Sequence, residues 1–243
     1  SVMFENEITD CCKALKLGAA MAQTSKSIEA ETHQEFLYKI LLEEIKRRNE
    51  AKRVRYLNTA GFYSIKTFEG YRFDEVKLPA ALSPDSIKTG EFIDRKENLV
   101  LYGNVGTGKT HMATAIGVNA CNAGKEVKFF RTAALVNYLS EQKSKGNLTK
   151  VLKAINKADL LILDEWGYVP LERDGARLLF QVISDCYEKR SVILTTNQEF
   201  SKWITVFYDE QMTASIIDRI VHYGHLVIFD GPSNRLKGAL MKN

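Results

Sequence analysis

The sequence predicts an α/β fold: a parallel sheet flanked by helices, preceded by a small helical region. Three observations carry this. After Lys96, short β-rich runs alternate with helical stretches, as in a parallel sheet wrapped by its own connections. A glycine-rich loop, Gly103 to Gly108, joins the first of those runs directly to a helical stretch. Ahead of Gly61, apolar residues recur at helical rather than strand spacing.

Taken in order, the first expected element is a helix over Glu7 to Met21. From Glu31 to Leu57, the apolar residues Phe36, Leu37, Ile40, Leu41, Ile45, Val54 and Leu57 fall mostly at steps of three and four, with Glu and Lys between them. That spacing predicts an amphipathic helix. It carries the densest basic run of the chain, Lys46, Arg47, Arg48, Lys52, Arg53 and Arg55, opposed within the run only by Glu50. Gly70, Pro79, Pro84 and Gly90 punctuate the stretch from Gly61 to Lys96, so the join falls there, with a helical region over 1–70 and a core over 71–243. Strands are expected at Asn98–Tyr102, Glu126–Arg131, Asp159–Leu163, Ser191–Thr195 and His225–Phe229. The second and third are joined by two helices, Thr132–Lys143 and Leu148–Asn156, split at Lys145-Gly146-Asn147.

Composition narrows the function classes. With 243 residues and 45% hydrophobic content the chain can bury a sizeable core. No apolar run reaches membrane-spanning length and no secretory leader is visible, so membrane insertion and export are not expected and a cytoplasmic location is. Cys11, Cys12, Cys121 and Cys186 lack metal-ligand spacing and read as reduced thiols. A net charge of +4 permits a nucleic-acid partner without demanding one.

Chemistry enters at Gly103-Asn104-Val105-Gly106-Thr107-Gly108-Lys109-Thr110, which fits G-x-x-x-x-G-K-[ST] between a strand and a helix. A chance match in a chain of this length is on the order of 1% before that context is counted. Such a loop turns its N–H groups toward phosphate oxygens; Lys109 neutralises β/γ-phosphate charge and the Thr110 hydroxyl ligates Mg²⁺. Further on, a buried strand ends in Asp164-Glu165. Alone this is ordinarily a solvated turn. Behind a phosphate loop, Asp164 is expected to hold Mg²⁺ through water and Glu165 to polarise the attacking water. Asn197 ends the next strand, either orienting that water or forming a turn. Arg219 lies in an otherwise apolar helix, where it either stabilises transferred phosphoryl charge in trans or makes a surface salt bridge.

The set GNVGTGKTH, LLILDEWGY, SVILTTN, IIDRIVHYG and GPSNRLKG resembles the IstB-like helper ATPases of insertion-sequence transposition, in the initiator branch of the AAA+ ATPases beside the DnaC helicase loaders. The stretch EFLYKILLEEIKRRNEAKRVRYLNTAGF resembles that family's helical N-terminal region, so essentially the whole chain is covered. The resemblance implies a P-loop NTPase core of AAA+ type, with a five-stranded parallel sheet in the order 5-1-4-3-2. It implies ATP and Mg²⁺ as cofactors, with His111 closing the nucleotide-binding loop. Asn197 takes the sensor-1 role, Arg219 that of an arginine finger completing a neighbour's site, and Arg235 the sensor-2 position. Only eight residues follow Arg235, so a reduced or absent helical lid is expected. The two-helix connection corresponds to the insertion that in initiator members favours open or spiral assemblies on DNA. Two positions depart from the family pattern: Trp166, where relatives commonly carry a smaller aliphatic residue, and Cys186, where arginine is common. Neither is expected to touch the nucleotide chemistry.

The function so implied is that of an ATPase. It would assemble as a homo-oligomer through ATP-bridged interfaces on duplex DNA and deliver that DNA to a cognate transposase. A helicase loader would share every ATPase motif. A small-molecule kinase needs an acceptor pocket and a basic lid, for which the sequence gives no sign. A scaffold using ATP only as a structural ligand stays open, because turnover depends on how a neighbour presents Arg219. The basic run from Lys46 to Arg55 is either a DNA-phosphate contact or a solvated helix face. Phe68 or Phe73 either stacks on the base or packs in the core.

Overall fold

The structure, a computed structural model, describes residues 4–239. The chain divides into two compact units, Ser1–Arg55 and Tyr56–Asn243.

In the first unit, α1 (Glu5–Ala14), α2 (Met21–Thr24) and α3 (His33–Thr59) follow one another, α3 running past the unit's end. The helix expected over Glu7 to Met21 therefore stops at Ala14, and α2 begins only at Met21. Between them Lys16 takes a left-handed φ of 55° and the Gly18 N–H donates to Glu44 Oε1 at 3.1 Å. Glu44 is the reason for the break. Its buried carboxylate also accepts from Arg47 Nε (2.9 Å) and Nη2 (2.8 Å) and from Arg48 Nε (2.9 Å), while Arg48 Nη2 donates to Lys16 O at 2.7 Å. A turn wrapped onto a buried carboxylate satisfies it in a way that a continuous helix could not. The Arg47 hydrogen bond, helped by Arg48 and the Gly18 N–H, outweighs burial and holds this carboxyl down at about 2. The amphipathic reading of α3 is corrected in part. Ile40 is buried, but Leu37, Leu41 and Ile45 are exposed.

The second unit holds a sheet of β1 (Val76–Lys77), β2 (Asn98–Gly103), β3 (Val127–Arg131), β4 (Leu160–Asp164), β5 (Ser191–Thr196) and β6 (Gly224–Phe229), in the order β1-β6-β2-β5-β4-β3. The five strands from β2 to β6 are parallel and run in the expected order 5-1-4-3-2. The sheet nevertheless has six strands, because β1 adds an antiparallel edge to β6. Two residues carry no readable period, and β1 is held by its surroundings: Lys77 pairs with Asp230 at 2.7 Å and the Asp230 N–H donates to Glu75 O.

The parallel strands are buried on both faces, so they read as continuous apolar runs. In β4, Leu160 and Ile162 face one core and Leu161 and Leu163 the other. The first core is closed by α4 (Pro84–Thr89), α5 (Glu91–Asp94) and α6 (Lys109–Asn122). The second is closed by α7 (Thr132–Ser144), α8 (Leu148–Ile155), α9 (Arg173–Cys186), α10 (Ile204–Phe207) and α11 (Glu210–His222). One turn, α12 (Asn234–Lys237), follows β6. Among the described residues no helix is long and apolar enough to cross a membrane.

Candidate nucleotide site

The phosphate loop lies where β2 hands over to α6. Gly106 and Gly108 adopt φ of 80° and 97°, and a Cβ on Gly106 would stand 2.3 Å from Ser233 Oγ, so both the curl and the close approach require glycine. The loop's N–H groups precede a helix of 14 residues, whose N-terminal dipole favours an anion. Lys109 Nζ folds over the loop and donates to Gly103 O at 2.8 Å and Asn104 O at 2.7 Å. Burial pushes its ammonium down to about 8, Asp164 opposing and Arg235 adding to the shift. An anionic ligand beside it would raise that value again.

Three strand ends meet beside the loop. The register sets Arg131 opposite Asp164 and Leu163 opposite Leu194, one step before Thr195. Asp164 is 2% exposed; its Oδ1 accepts from Thr110 Oγ1 at 2.8 Å and Thr195 Oγ1 at 2.5 Å. The Thr195 hydroxyl oxygen also accepts the Glu165 N–H at 2.9 Å, and Thr132 Oγ1 donates to Asp164 O at 2.9 Å. Glu165 carries a left-handed φ of 57° and leaves its carboxylate partly exposed, with Arg131 Nε 4.0 Å away. Asn197 Oδ1 is buried with no hydrogen-bond partner among the described residues. The converging Thr110 and Asp164 oxygens, with this unpaired amide oxygen on the next strand end, suit a small hard cation that completes its shell with waters and phosphate oxygens. Thr195, Thr132 and Arg131 escaped the sequence reading, since they become visible only once the register is known.

A cleft of about 510 Å³ opens beside the loop, lined among others by Tyr71, Arg72, Glu75, Thr107, His111 and Lys237. The Tyr71 ring stands 5.5 Å from that of His111, whose Nε2 lies 2.9 Å from Thr67 O. Phe68 and Phe73 take the packing alternative, against Tyr71 and the core. The rings that line the cleft are thus Tyr71 and His111, and burial pushes the Tyr71 hydroxyl up to about 12.

The IstB-like ATP binding protein family matches residues 12–241. This chain belongs to that family. It is 35% identical over 216 residues to the ATP-binding protein of insertion sequence IS21 from Pseudomonas aeruginosa, covering 87% of this chain and 82% of that relative. It is 32% identical over 238 residues to the IS5376 ATP-binding protein of Geobacillus stearothermophilus, covering 96% and 95%. Among solved structures it resembles AMPPCP-bound DnaA from Aquifex aeolicus (TM-score 0.55, 23% identity, 70% of this chain and 52% of that one). It also resembles DnaI (TM-score 0.52, 18% identity, 70% and 90%). These likenesses establish the AAA+ fold.

The remaining predicted residues of this IstB-like chain fall in three places. Arg235 lies on α12, within electrostatic reach of Lys109 and Tyr168, and the neighbouring Asn234 N–H donates to Gly106 O at 2.8 Å. Lid residues beyond Ala239 lie outside the described residues. Arg219, on α11, donates to Ser215 O at 3.0 Å and sits 5.3 Å over the Phe180 ring. Among the described residues it makes no ion pair, and no hydrogen bond ties it to Lys109, Asp164 or Glu165. The basic run lies on α3, and its acidic company is larger than Glu50 alone. Lys46 pairs with Glu43 at 2.8 Å, Arg47 and Arg48 with Glu44, and Arg53 with Glu50 at 2.6 Å; Lys52 and Arg55 are exposed. A reading confined to the run misses Glu43 and Glu44, one helical turn upstream.

Proposed function

We propose that this IstB-like protein hydrolyses ATP and uses that cycle to control assembly of its copies on duplex DNA, which it delivers to a cognate transposase in the cytoplasm. The observation that carries the ATPase reading is the meeting of the Thr110 and Thr195 hydroxyls on Asp164 Oδ1, with the Glu165 N–H on Thr195, beside Lys109. The phosphate loop N–H groups and Lys109 bind the β- and γ-phosphates, and the cleft beside Tyr71 takes the nucleoside. Mg²⁺, held by Thr110 and Asp164, would neutralise charge on the transferred phosphoryl. Glu165 accepts a proton from the attacking water as oxygen bonds to the γ-phosphorus, the bond to the bridging oxygen breaks, and ADP and phosphate leave. Asn197 orients that water, Arg235 contacts the phosphates, and Arg219 stabilises charge in a neighbouring copy's site. The DNA and transposase steps rest on family membership and on the basic run of α3.

The test is a three-variant comparison. Lys109→Ala loses nucleotide binding, while Glu165→Gln keeps it and loses turnover. Arg219→Ala keeps affinity, loses turnover, and regains part of it when mixed with Lys109→Ala subunits. Turnover retained in Glu165→Gln would remove Glu165 as the base, and absence of rescue in the mixture would count against a trans arginine.

A further inference from the structure

Trp166 follows Glu165 directly and is 0% exposed. Its ring packs against Trp203 (centroids 5.3 Å) and Phe207 (5.5 Å), and Phe200 extends the cluster from Trp203 at 4.9 Å. Its backbone is held at both ends: the N–H donates to Thr195 O at 2.8 Å, and the carbonyl accepts from Thr196 Oγ1 at 2.7 Å. Immediately before it, Glu165 has a φ of 57°, a region in which a non-glycine residue stays only when its surroundings hold it there.

The anchoring group is the indole. The cavity bounded by Glu165, Trp166, Thr132, Val206 and Phe207 measures about 10 Å³, room for about one water, so the indole is closely packed beside the turn. Trp166 Nε1 is buried without a hydrogen-bond partner among the described residues. That cost is avoided by any aliphatic residue, so what the position uses is the breadth of the ring. Trp203 in turn donates from Nε1 to Gln198 O at 3.3 Å, which ties the cluster to the residue after Asn197.

We propose that Trp166 is a positioning residue: its indole, wedged against Trp203 and Phe207, holds Glu165 in the left-handed conformation that sets where its carboxylate sits. Through Trp203 and Gln198 the same wedge keeps the Asn197 segment in register with it. This rests on the reading of Glu165 as the base, and it revises the expectation that Trp166 stands apart from the nucleotide chemistry.

The test uses the full chain with Trp166→Leu, Trp166→Phe and, as a variant that leaves the turn itself intact, Phe207→Leu. Thermal melting, kcat, KM for ATP and hydrogen exchange of the Glu165 and Trp166 amides are measured for each. Trp166→Leu is expected to lower kcat roughly tenfold with KM for ATP within about threefold. It should also speed exchange of those two amides roughly tenfold relative to the rest of the sheet. Trp166→Phe, which keeps a ring, restores both to within about threefold, and Phe207→Leu shows a smaller loss of the same kind. Both tryptophans of the chain belong to this cluster, so intrinsic emission reports its packing in every variant. Wild-type kcat and amide protection in Trp166→Leu would overturn the proposal, as would faster exchange with unchanged kcat. Should Trp166→Leu fail to fold, Phe207→Leu decides by the same two readouts. Should the wild type bind ATP without turning it over, the base reading fails by itself, and the exchange of the two amides still decides whether Trp166 holds the turn.

Discussion

Strand β4 buries every residue from Leu160 to Asp164, whereas α3, 27 residues long, buries only Ile40 and Glu44. In the strand, neighbours on both sides and both faces dictate the side chains, and the carboxylate at its end inherits that rigidity. In the helix, one buried carboxylate organises the local turn, and an apolar row of Leu37, Leu41 and Ile45 stays in solvent. The comparison teaches that the geometry of the nucleotide site belongs to the sheet unit, and that in the N-terminal unit a buried charge organises the local turn.

The predictions that sharpen this contrast run from large to small. Lys109→Ala is expected to weaken ATP binding by at least about a hundredfold, close to 3 kcal/mol, in equilibrium titration, while Lys46→Ala leaves it unchanged. In denaturant unfolding, Ile162→Ala should destabilise the sheet unit by about 3 kcal/mol, and Ile45→Ala should stay within about 0.5 kcal/mol. Equal losses at these two positions would break the comparison. The N-terminal unit should also show its own acid sensitivity. Glu44 has a folded value of about 2 against an ordinary 4.5, a depressed carboxylate. Its stabilisation is therefore full above about 4.5 and is lost as pH falls toward about 2. Protection of the Gly18 amide, taken relative to its intrinsic exchange rate at each pH, should fall over that window, and Glu44→Gln should abolish this pH dependence of the protection. The smallest effect is expected at Lys52, where Ala lowers DNA affinity evenly across sequences and reduces the salt slope by about one.

Much of the sheet unit was legible because its signals are local. Buried strands appear as apolar runs, the phosphate loop as glycines between strand and helix, and Asp164-Glu165 as acids ending such a run. What escaped depends on neighbours distant in sequence. Thr195 joins Asp164 only through the β4–β5 register, and Tyr71 reaches the cleft only because β1 pairs with β6 and carries the preceding segment to the loop. The Glu44 clamp escaped for the same reason, since Gly18 lies far from it in sequence. In α3 the periodicity was present but named the wrong consequence, because helical spacing of apolar residues does not say that anything covers them.

The most direct test of the central claim is sedimentation of the full chain with duplex DNA in the absence of nucleotide, with ADP and with ATP, at two salt concentrations. The account predicts large complexes with ATP alone, weakened by salt and retained by Glu165→Gln. Complexes of the same size in all three nucleotide conditions, or none with ATP, would contradict it.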